Sequence, residues 1–557
     1  MTHRTRTSTH LPLWGRLSSL RRTVQSACRW LYLLLLLALT AAQTPAQAQT
    51  PAQAPAPAQT LPDRVAAIMA RPEFAHARFG MEFWALDTNQ PVFRLNGQQF
   101  FVPGSTTKLL TEGTAISLLG PDYRFHTRVY RTGGIDAEGT LHGDLILVAA
   151  GDPNLSNRIR PDGALAFQNV DHSYDSTPGS KPVEGDPLAV IRSLAAQIAR
   201  AGVRQLTGRV LVDAGLFPEG TRELGTGVVI SPIVVNDNVI DLTLTPGAEG
   251  APPQIKISPP TAYLRIVNQL RTEAAASQTQ LRILRDNREP DGSHTVTLSG
   301  SIPAGPPVFR VYRVPEPSRF AQTVFVESLK AAGIAIAPAL EANALVPQYT
   351  RDFQIAEHVS PPFTEEVKVT LKVSQNLHAS MTPYLLGAVL GKDRDNRENI
   401  LQTGFDLERD FLQKAGLDIS GAAQSDGAGG AAFYTPDFMV HYLVYLSHRD
   451  NIFPAIFNAL PILGKDGTLW DIQPDSPAAG HIHAKTGTYG TGDLLNHSLM
   501  VTGKGIAGFI DRKDGRRLAF AAYINNVDGP PDTIAHHVGD VLGELAASAW
   551  DAPLDHP

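Results

Sequence analysis

Phe101-Val102-Pro103-Gly104-Ser105-Thr106-Thr107-Lys108-Leu109-Leu110-Thr111 is the stretch on which the reading of this chain turns. Pro103-Gly104 breaks the backbone, and a helix-like run follows from Ser105 to about Leu119. Leu109, Gly113, Ile116 and Gly120 fall on one stripe of it, with Leu110 and Leu119 beside them. Such a helix is buried on most sides and carries Ser105 in its first turn. Ser and Lys three residues apart share a helix face, and a helix N-terminus favours negative charge beside Ser105. A serine hydroxyl is a poor nucleophile until a base takes its proton. Lys108 can be that base if burial and other cations lower its pKa. Alone, the pattern reads more often as a helix-capping serine with a surface lysine.

Two further motifs change that balance. Ser374-Gln375-Asn376 puts polar side chains on one edge of a turn or helix end. Ser374 can relay a proton to a leaving amine, and Asn376 can both donate to and accept from a peptide group. In isolation it is another helix-to-loop cap. Lys485-Thr486-Gly487 follows Ala484 in an expected strand, and Thr488 comes next. A glycine at a strand edge lets a substrate backbone approach closely, Lys485 supplies charge, and Thr486 can hydrogen-bond a terminal carboxylate. In isolation this is an exposed lysine near a turn. In this order the three motifs form the S-x-x-K, S-x-N and K-T-G set of the penicillin-binding serine acyl-transferases, and neither the first nor the third recurs in the chain.

The 557 residues are too many for one compact domain, and 43% hydrophobic with 18% charged residues fits an ordinary globular protein. Arg16, Arg21, Arg22 and Arg29 precede the apolar run Trp30–Leu39, which is short for a membrane-spanning helix. Residues 1–48 therefore read as an export signal, with cleavage near Ala42 or Ala48 and an uncleaved anchor as the alternative. Removing the six arginines of 1–48, a segment with no acidic residue, takes the formal charge from −6 to −12. No basic stripe suggests nucleic acid, and the acidic balance disfavours docking to an anionic membrane. The only cysteine, Cys28, lies in the leader, so the mature chain has no disulfide, thiolate metal site or cysteine nucleophile.

Residues 49–61 are an Ala/Gln/Pro linker. Phe79–Leu86 and Val92–Leu95 flank a polar turn and predict a β-hairpin. Residues 126–355 read as inserted β-rich modules. Strands are expected at Leu145–Val148, Arg209–Val212, Val234–Leu244, Thr295–Leu298 and Val308–Tyr312, then a helix at Pro317–Ala332. The insert divides into two subdomains, the inner one at roughly 221–306. Helices return at Glu365–Val373, Met381–Leu390 and Pro436–Ser447. Strands at Ile506–Ile510 and Leu518–Asn526 and a last helix from Asp532 to Trp550 complete the chain. The expected fold is α+β, with residues 62–125 plus 356–550 forming one domain around the insertion.

The match extends beyond the motifs. Leu119-Gly-Pro-Asp-Tyr-Arg-Phe125, Gly143-Asp144-Leu145, Gly151-Asp152-Pro153-Asn154-Leu155, Gly208-Arg-Val-Leu-Val-Asp213, Asn236-Asp-Asn238, Ser360-Pro361-Pro362, Asp426-Gly427 and Gly464-Lys-Asp-Gly-Thr-Leu469 complete a pattern. With them the chain resembles the D-alanyl-D-alanine carboxypeptidase/endopeptidase family, the class C low-molecular-mass penicillin-binding proteins, over roughly residues 62–550. Compact β-lactamases resemble the motif set but lack the 269-residue spacing from Ser105 to Ser374.

The resemblance implies a transpeptidase/β-lactamase-like domain, helices on a five-stranded antiparallel sheet, with two extra domains inserted. It implies an exported, periplasmic enzyme acting on peptidoglycan stem peptides and trapped by β-lactams, without metal or cofactor. Ser105, Lys108 and Ser374 would be catalytic. Asn376, Lys485, Thr486, Gly487 and Thr488 would bind substrate, and the backbone N–H groups of Ser105 and Thr488 would form the oxyanion hole. Several positions depart from the family pattern. Ser380 stands where a Glu is usual, and Asp426-Gly-Ala-Gly-Gly-Ala431 loses two hydroxyls and a Leu. Gly225–Pro232 replaces a Trp- and Tyr-bearing stretch, and a long segment, Tyr489–Gly505, follows Thr488. These changes keep open a related acyl-serine esterase or D-amino-acid peptidase, or a non-catalytic wall-binding homologue. His481-Ile-His483 could pair on a metal but has no acidic or cysteine cluster beside it. His536-His537 reads as surface or filler.

Overall fold

Strands Arg78–Ala85 and Gln90–Leu95 form the expected hairpin, and Asn89 takes the left-handed conformation its turn requires. The computed structural model describes residues 59–175, 177–337, 347–392 and 399–554; the expected leader and linker residues 49–58 lie outside them. Arg78–Ala85 pairs on its other edge with Arg517–Asn525, bringing the two ends of the described chain together. The sheet runs Ile482–Asp493, Ser498–Asp511, Arg517–Asn525, Arg78–Ala85, Gln90–Leu95, antiparallel throughout. Short Val527–Gly529 adds to Ser498–Asp511.

Period-two alternation assigns the two faces. Phe520, Ala522 and Ile524 meet Val538, Leu542 and Leu545 of the last helix, Ile534–Asp551, and Leu61, Val65 and Ile68 of the first, Leu61–Met69. Ala519, Ala521 and Tyr523 face helices Thr107–Leu119 and Pro436–Ser447 through Leu109, Ile116, Met439 and Tyr442. Every residue from Thr107 to Ile116 is buried, so the nucleophile helix runs through the core. It starts later than the sequence suggests: Gly104–Thr106 is a 3-10 turn, and the α-helix begins at Thr107.

Tyr489–Gly505 is not a loop. The Lys485 strand continues to Asp493, turns, and returns from Ser498 as a long hairpin whose tip exposes Leu494 and Leu495. Its glycines and threonines hide the alternation from the sequence.

The two ends of the expected insert, His126–Arg131 and Gln354–Val359, are paired strands. Leu145–Val148 and Val210–Asp213 extend that sheet. Two three-stranded sheets follow: Val308–Arg313/Val239–Thr245/Gln254–Ser258 and Leu264–Glu273/His294–Pro303/Gln280–Arg288. Besides the expected helix at Pro317–Ala331, an unanticipated one, Ala189–Arg200, buries Val190, Ile191, Leu194 and Ile198 in the same core. Among the described residues no helix is long and apolar enough to cross a membrane.

Candidate active site

The three motifs meet in one cleft of about 770 Å³. Lys108, fully buried, lies one turn along from Ser105, and its Nζ is 2.9 Å from Ser105 Oγ. The same Nζ reaches the Ser374 carbonyl at 2.9 Å, Ser374 Oγ at 3.1 Å and Asn376 Oδ1 at 2.5 Å. An ammonium has three protons for these four oxygens. Either one proton is shared or the amine is neutral and accepts from a serine hydroxyl. Burial pushes Lys108 down to about 7, against the pull of Glu223, Asp426 and Glu112. Both protonation states are therefore accessible at neutral pH.

Ser374 lies between helices Phe363–Lys372 and Asn376–Leu390, with φ of +62°. A non-glycine residue held there costs about 1–3 kcal/mol. The turn is held by Lys108 and by Tyr174, whose hydroxyl donates to the Ser374 carbonyl at 2.6 Å. Gln375 caps the next helix, accepting from the Leu377 N–H. Ser374 Oγ also accepts from Lys485 Nζ at 2.8 Å and so bridges two amines. Burial, and then the nearby Lys108 and Lys504 amines, push Lys485 well below its ordinary range.

Gly104 and Gly487 press the nucleophile turn onto the strand. A methyl group on Gly487 would stand 2.1 Å from the Pro103 carbonyl and 2.8 Å from the Ser105 nitrogen; one on Gly104 would stand 2.5 Å from the Thr488 nitrogen. Gly104 also has a φ of +52°. The backbone amides of Ser105 and Thr488 thus lie on facing segments beside Ser105 Oγ. Thr486 Oγ1 and Thr468 Oγ1 are 2.7 Å apart, and Thr488 Oγ1 accepts from Lys504 at 2.7 Å. The structure thereby brings all eight residues singled out from the sequence together at one cleft, a geometry suited to nucleophilic acyl transfer.

A sequence profile described as the D-Ala-D-Ala carboxypeptidase 3 (S13) family matches residues 61–542. The chain belongs to this family. It is a serine peptidase by that membership. It is 25% identical to the D-alanyl-D-alanine carboxypeptidase of Actinomadura sp. (strain R39), over 87% of this chain and 86% of that protein. It is 23% identical to the D-alanyl-D-alanine carboxypeptidase DacB of Haemophilus influenzae, over 84% and 87%. The crystal structure of penicillin binding protein 4 (dacB) from Haemophilus influenzae superposes with a TM-score of 0.65 at 20% identity. That match covers 87% of this chain and 98% of the other. The transpeptidase/β-lactamase-like fold is shared.

Within this S13 peptidase the departures from the family pattern have local explanations. In Asp426–Ala431 the lost hydroxyls are not needed for loop shape. Asp426 Oδ1 accepts from the Ala428, Gly429 and Gly430 amides, and Oδ2 from Ala431. Gly429 is required, because a methyl there would meet the Gly104 carbonyl at 2.1 Å. The Gly225 stretch reaches the site itself: a methyl on Gly225 would stand 1.9 Å from Asn376 Nδ2. Ser380 is buried one turn after Asn376.

Beneath the Ser374 turn lies a charged network that sequence reading missed. Arg158 Nη2 donates to Asp171 Oδ2 at 2.5 Å and Asp237 Oδ2 at 2.6 Å, all fully buried. His378 bridges Asp237 and Glu366, His172 bridges Asp237 and Asp241, and Gln375 donates to Asp171 at 2.9 Å. Asp171, His172 and Asp237 have atoms close enough to share a metal. The Arg158 guanidinium donates to both of these carboxylates and supplies the group with a positive charge of its own. His481 and His483 instead stack on Trp550 and Phe457. His536 lines the cleft, 3.3 Å from Asp471.

Proposed function

We propose that this chain is an exported, periplasmic D-alanyl-D-alanine carboxypeptidase/endopeptidase that hydrolyses peptidoglycan stem peptides through an acyl-Ser105 intermediate. One observation carries the reading: Ser374 Oγ sits between two lysine amines, one of which also touches Ser105 Oγ. That is a complete path for one proton.

Neutral Lys108 takes the Ser105 proton as Oγ bonds to the carbonyl carbon of the penultimate D-alanine. The carbonyl electron pair moves to oxygen, which accepts hydrogen bonds from the Ser105 and Thr488 N–H groups. When the oxyanion collapses the C–N bond breaks. Ser374 gives its hydroxyl proton to the departing nitrogen and recovers one from Lys108. Water, deprotonated by Lys108, then attacks the ester carbonyl; the acyl C–Oγ bond breaks and Lys108 returns the proton to Ser105 Oγ. Asn376 aligns the peptide, Gly487 admits its backbone, and Lys485, Thr486 and Thr488 hold the terminal carboxylate. β-Lactams enter the first half of this cycle and stop there. The solved Haemophilus influenzae penicillin binding protein 4 complexed with a β-lactam supports that expectation. The catalytic domain is assigned to 62–125 plus 356–550 and the insert to 126–355, its inner part at roughly 221–306.

Intact-mass spectrometry after exposure to a fluorescent penicillin, beside Ser105→Ala, tests the proposal. A single stoichiometric adduct, absent from the variant, together with faster release of D-alanine from a D-Ala-D-Ala peptide than turnover of a simple ester, is the expected outcome. No adduct on folded protein refutes it.

A further inference from the structure

Three lysine amines converge on the cleft, and the motifs account for two. Lys504, in strand Ser498–Asp511, is the third. It stands opposite Thr488 in the antiparallel register and donates to Thr488 Oγ1 at 2.7 Å. It lines the cleft with Thr468, Thr486, Thr488 and Trp470. Thr468, Thr486, Thr488 and Lys504 thus bring three hydroxyls and an amine to one wall of the cleft.

Two observations indicate a built site. The end of the Lys504 side chain lies across the last helix at Gly539. A methyl group there would stand 3.0 Å from Cε and 3.3 Å from Nζ. Glycine is a poor choice inside a helix, and here its bareness makes room for the amine. In addition, the lysine ion pairs among the described residues are those of Lys368 and Lys372, neither in the cleft. Lys108, Lys485 and Lys504 have no carboxylate partner among the described residues. Lys504 contributes to the lowering of Lys485, and burial pushes Lys504 itself down to about 8 against the pull of Asp471 in the cleft wall. Among the described residues Lys504 donates to Thr488 Oγ1 and forms no ion pair, and an ammonium with donors to spare in a partly desolvated cleft favours an incoming anion.

We infer that Lys504 is a specificity-determining residue, which with Lys485, Thr486 and Thr488 anchors a carboxylate on the leaving-group side of the scissile bond. The enzyme then selects substrates whose leaving amine carries a free carboxylate on its own α-carbon. A terminal D-alanine meets that condition. So does the amine of a diamino acid whose neighbouring carboxylate is free, whereas an amidated leaving group does not. The inference rests on the acyl-serine reading above and narrows its substrate class.

The test uses two peptides with the same acyl half, one ending in D-Ala-D-Ala and one in D-Ala-D-alaninamide. Each is assayed against the wild type, Lys504→Met and Lys504→Arg. Lys504→Met lowers kcat/KM for the carboxylate peptide by about tenfold to hundredfold, as expected for losing one charge-assisted contact. The carboxylate-to-amide ratio falls with it, and Lys504→Arg restores most of the ratio. An unchanged ratio in Lys504→Met overturns the inference. Calorimetric titration of both peptides into Ser105→Ala and Ser105→Ala/Lys504→Met reads the anchor without chemistry. There, discrimination lost with the lysine upholds the anchor and discrimination kept refutes it. Because failure to acylate Ser105 would show only in the kinetic arm, the two proposals fail separately.

Discussion

Replacing Gly225 by alanine tests whether the insert helps to build the catalytic centre. The new methyl would begin 1.9 Å from Asn376 Nδ2. Ordinary contact starts near 3.4 Å, so one side must move by about 1.5 Å. The Gly225 loop is poorly able to retreat. Buried Glu223 accepts from the Gly225 and Thr226 amides, Arg313 donates to the Thr226 carbonyl, and the Leu224 side chain lies against Gly430. The strain therefore falls on the Asn376 side chain, whose Oδ1 is held by Lys108 at 2.5 Å. Displacing that oxygen removes one of the four partners that fix the Lys108 amine. A misplacement of about 1 Å in a catalytic group can cost on the order of 100-fold in rate. Gly225→Ala is thus expected to slow acylation by fluorescent penicillin about 100-fold, followed by stopped flow. The overpacking costs only about 1–3 kcal/mol of stability in a denaturant titration. A folded variant that acylates at the wild-type rate would refute the reasoning.

Other outcomes follow from the buried charges. Lys108 must be neutral to take a proton and its pKa is lowered to about 7, so the acylation rate climbs as pH rises through about 7 and then levels; a profile flat from pH 6 to 8 contradicts this. Arg158→Met leaves the Asp171 and Asp237 carboxylates buried without their cation. It should cost about 3–5 kcal/mol, read as a lower guanidinium midpoint, and an unmoved midpoint rules the network out as a determinant of stability. Glu408 is buried in helix Ile400–Lys414 and held up to about 8 from 4.5 by desolvation. The folded state therefore keeps a proton that the unfolded chain releases, and stability falls between those two pH values by up to about 1.4 kcal/mol per unit. Glu408→Gln stays neutral and should flatten that decline between pH 5 and 8; parallel curves would show that Glu408 does not titrate there.

The parts of the site that sequence reading found were those carried by short motifs with local chemistry: Ser105 with Lys108, Ser374 with Asn376, and Lys485 through Thr488. Its missing parts act across long separations. Tyr174 works through a hydroxyl on the backbone carbonyl of Ser374, and nothing in its neighbours signals that. Gly225 was visible only as a departure, the place where larger side chains were expected. Lys504 sits in Thr-Gly-Lys-Gly, in a segment whose glycines hid a strand. The fold was legible where patterns were clean, as at Pro436–Ser447 and Leu145–Val148, both found with their observed ends. It was obscured where burial does not follow hydrophobicity. Helix Ile400–Lys414 buries Ile400, Gly404, Glu408 and Leu412, and a glycine and a glutamate on the inward stripe erase its periodicity.

The pairing of Phe83 with Phe520 sets a timetable for the molecule as well as a shape. The strand before the nucleophile finds its inner neighbour only when nearly the whole chain has been made. Such distant pairing makes folding slow, because the loop must close before any contact rewards it. Ser374 and Lys485 likewise reach Lys108 only after the insert has been synthesised. Ser105 has Lys108 beside it from the start but has no relay until Ser374 is made, and the sheet behind its helix closes only with the last strand. A partly made chain carries the nucleophile and its base without the relay that would serve a leaving group.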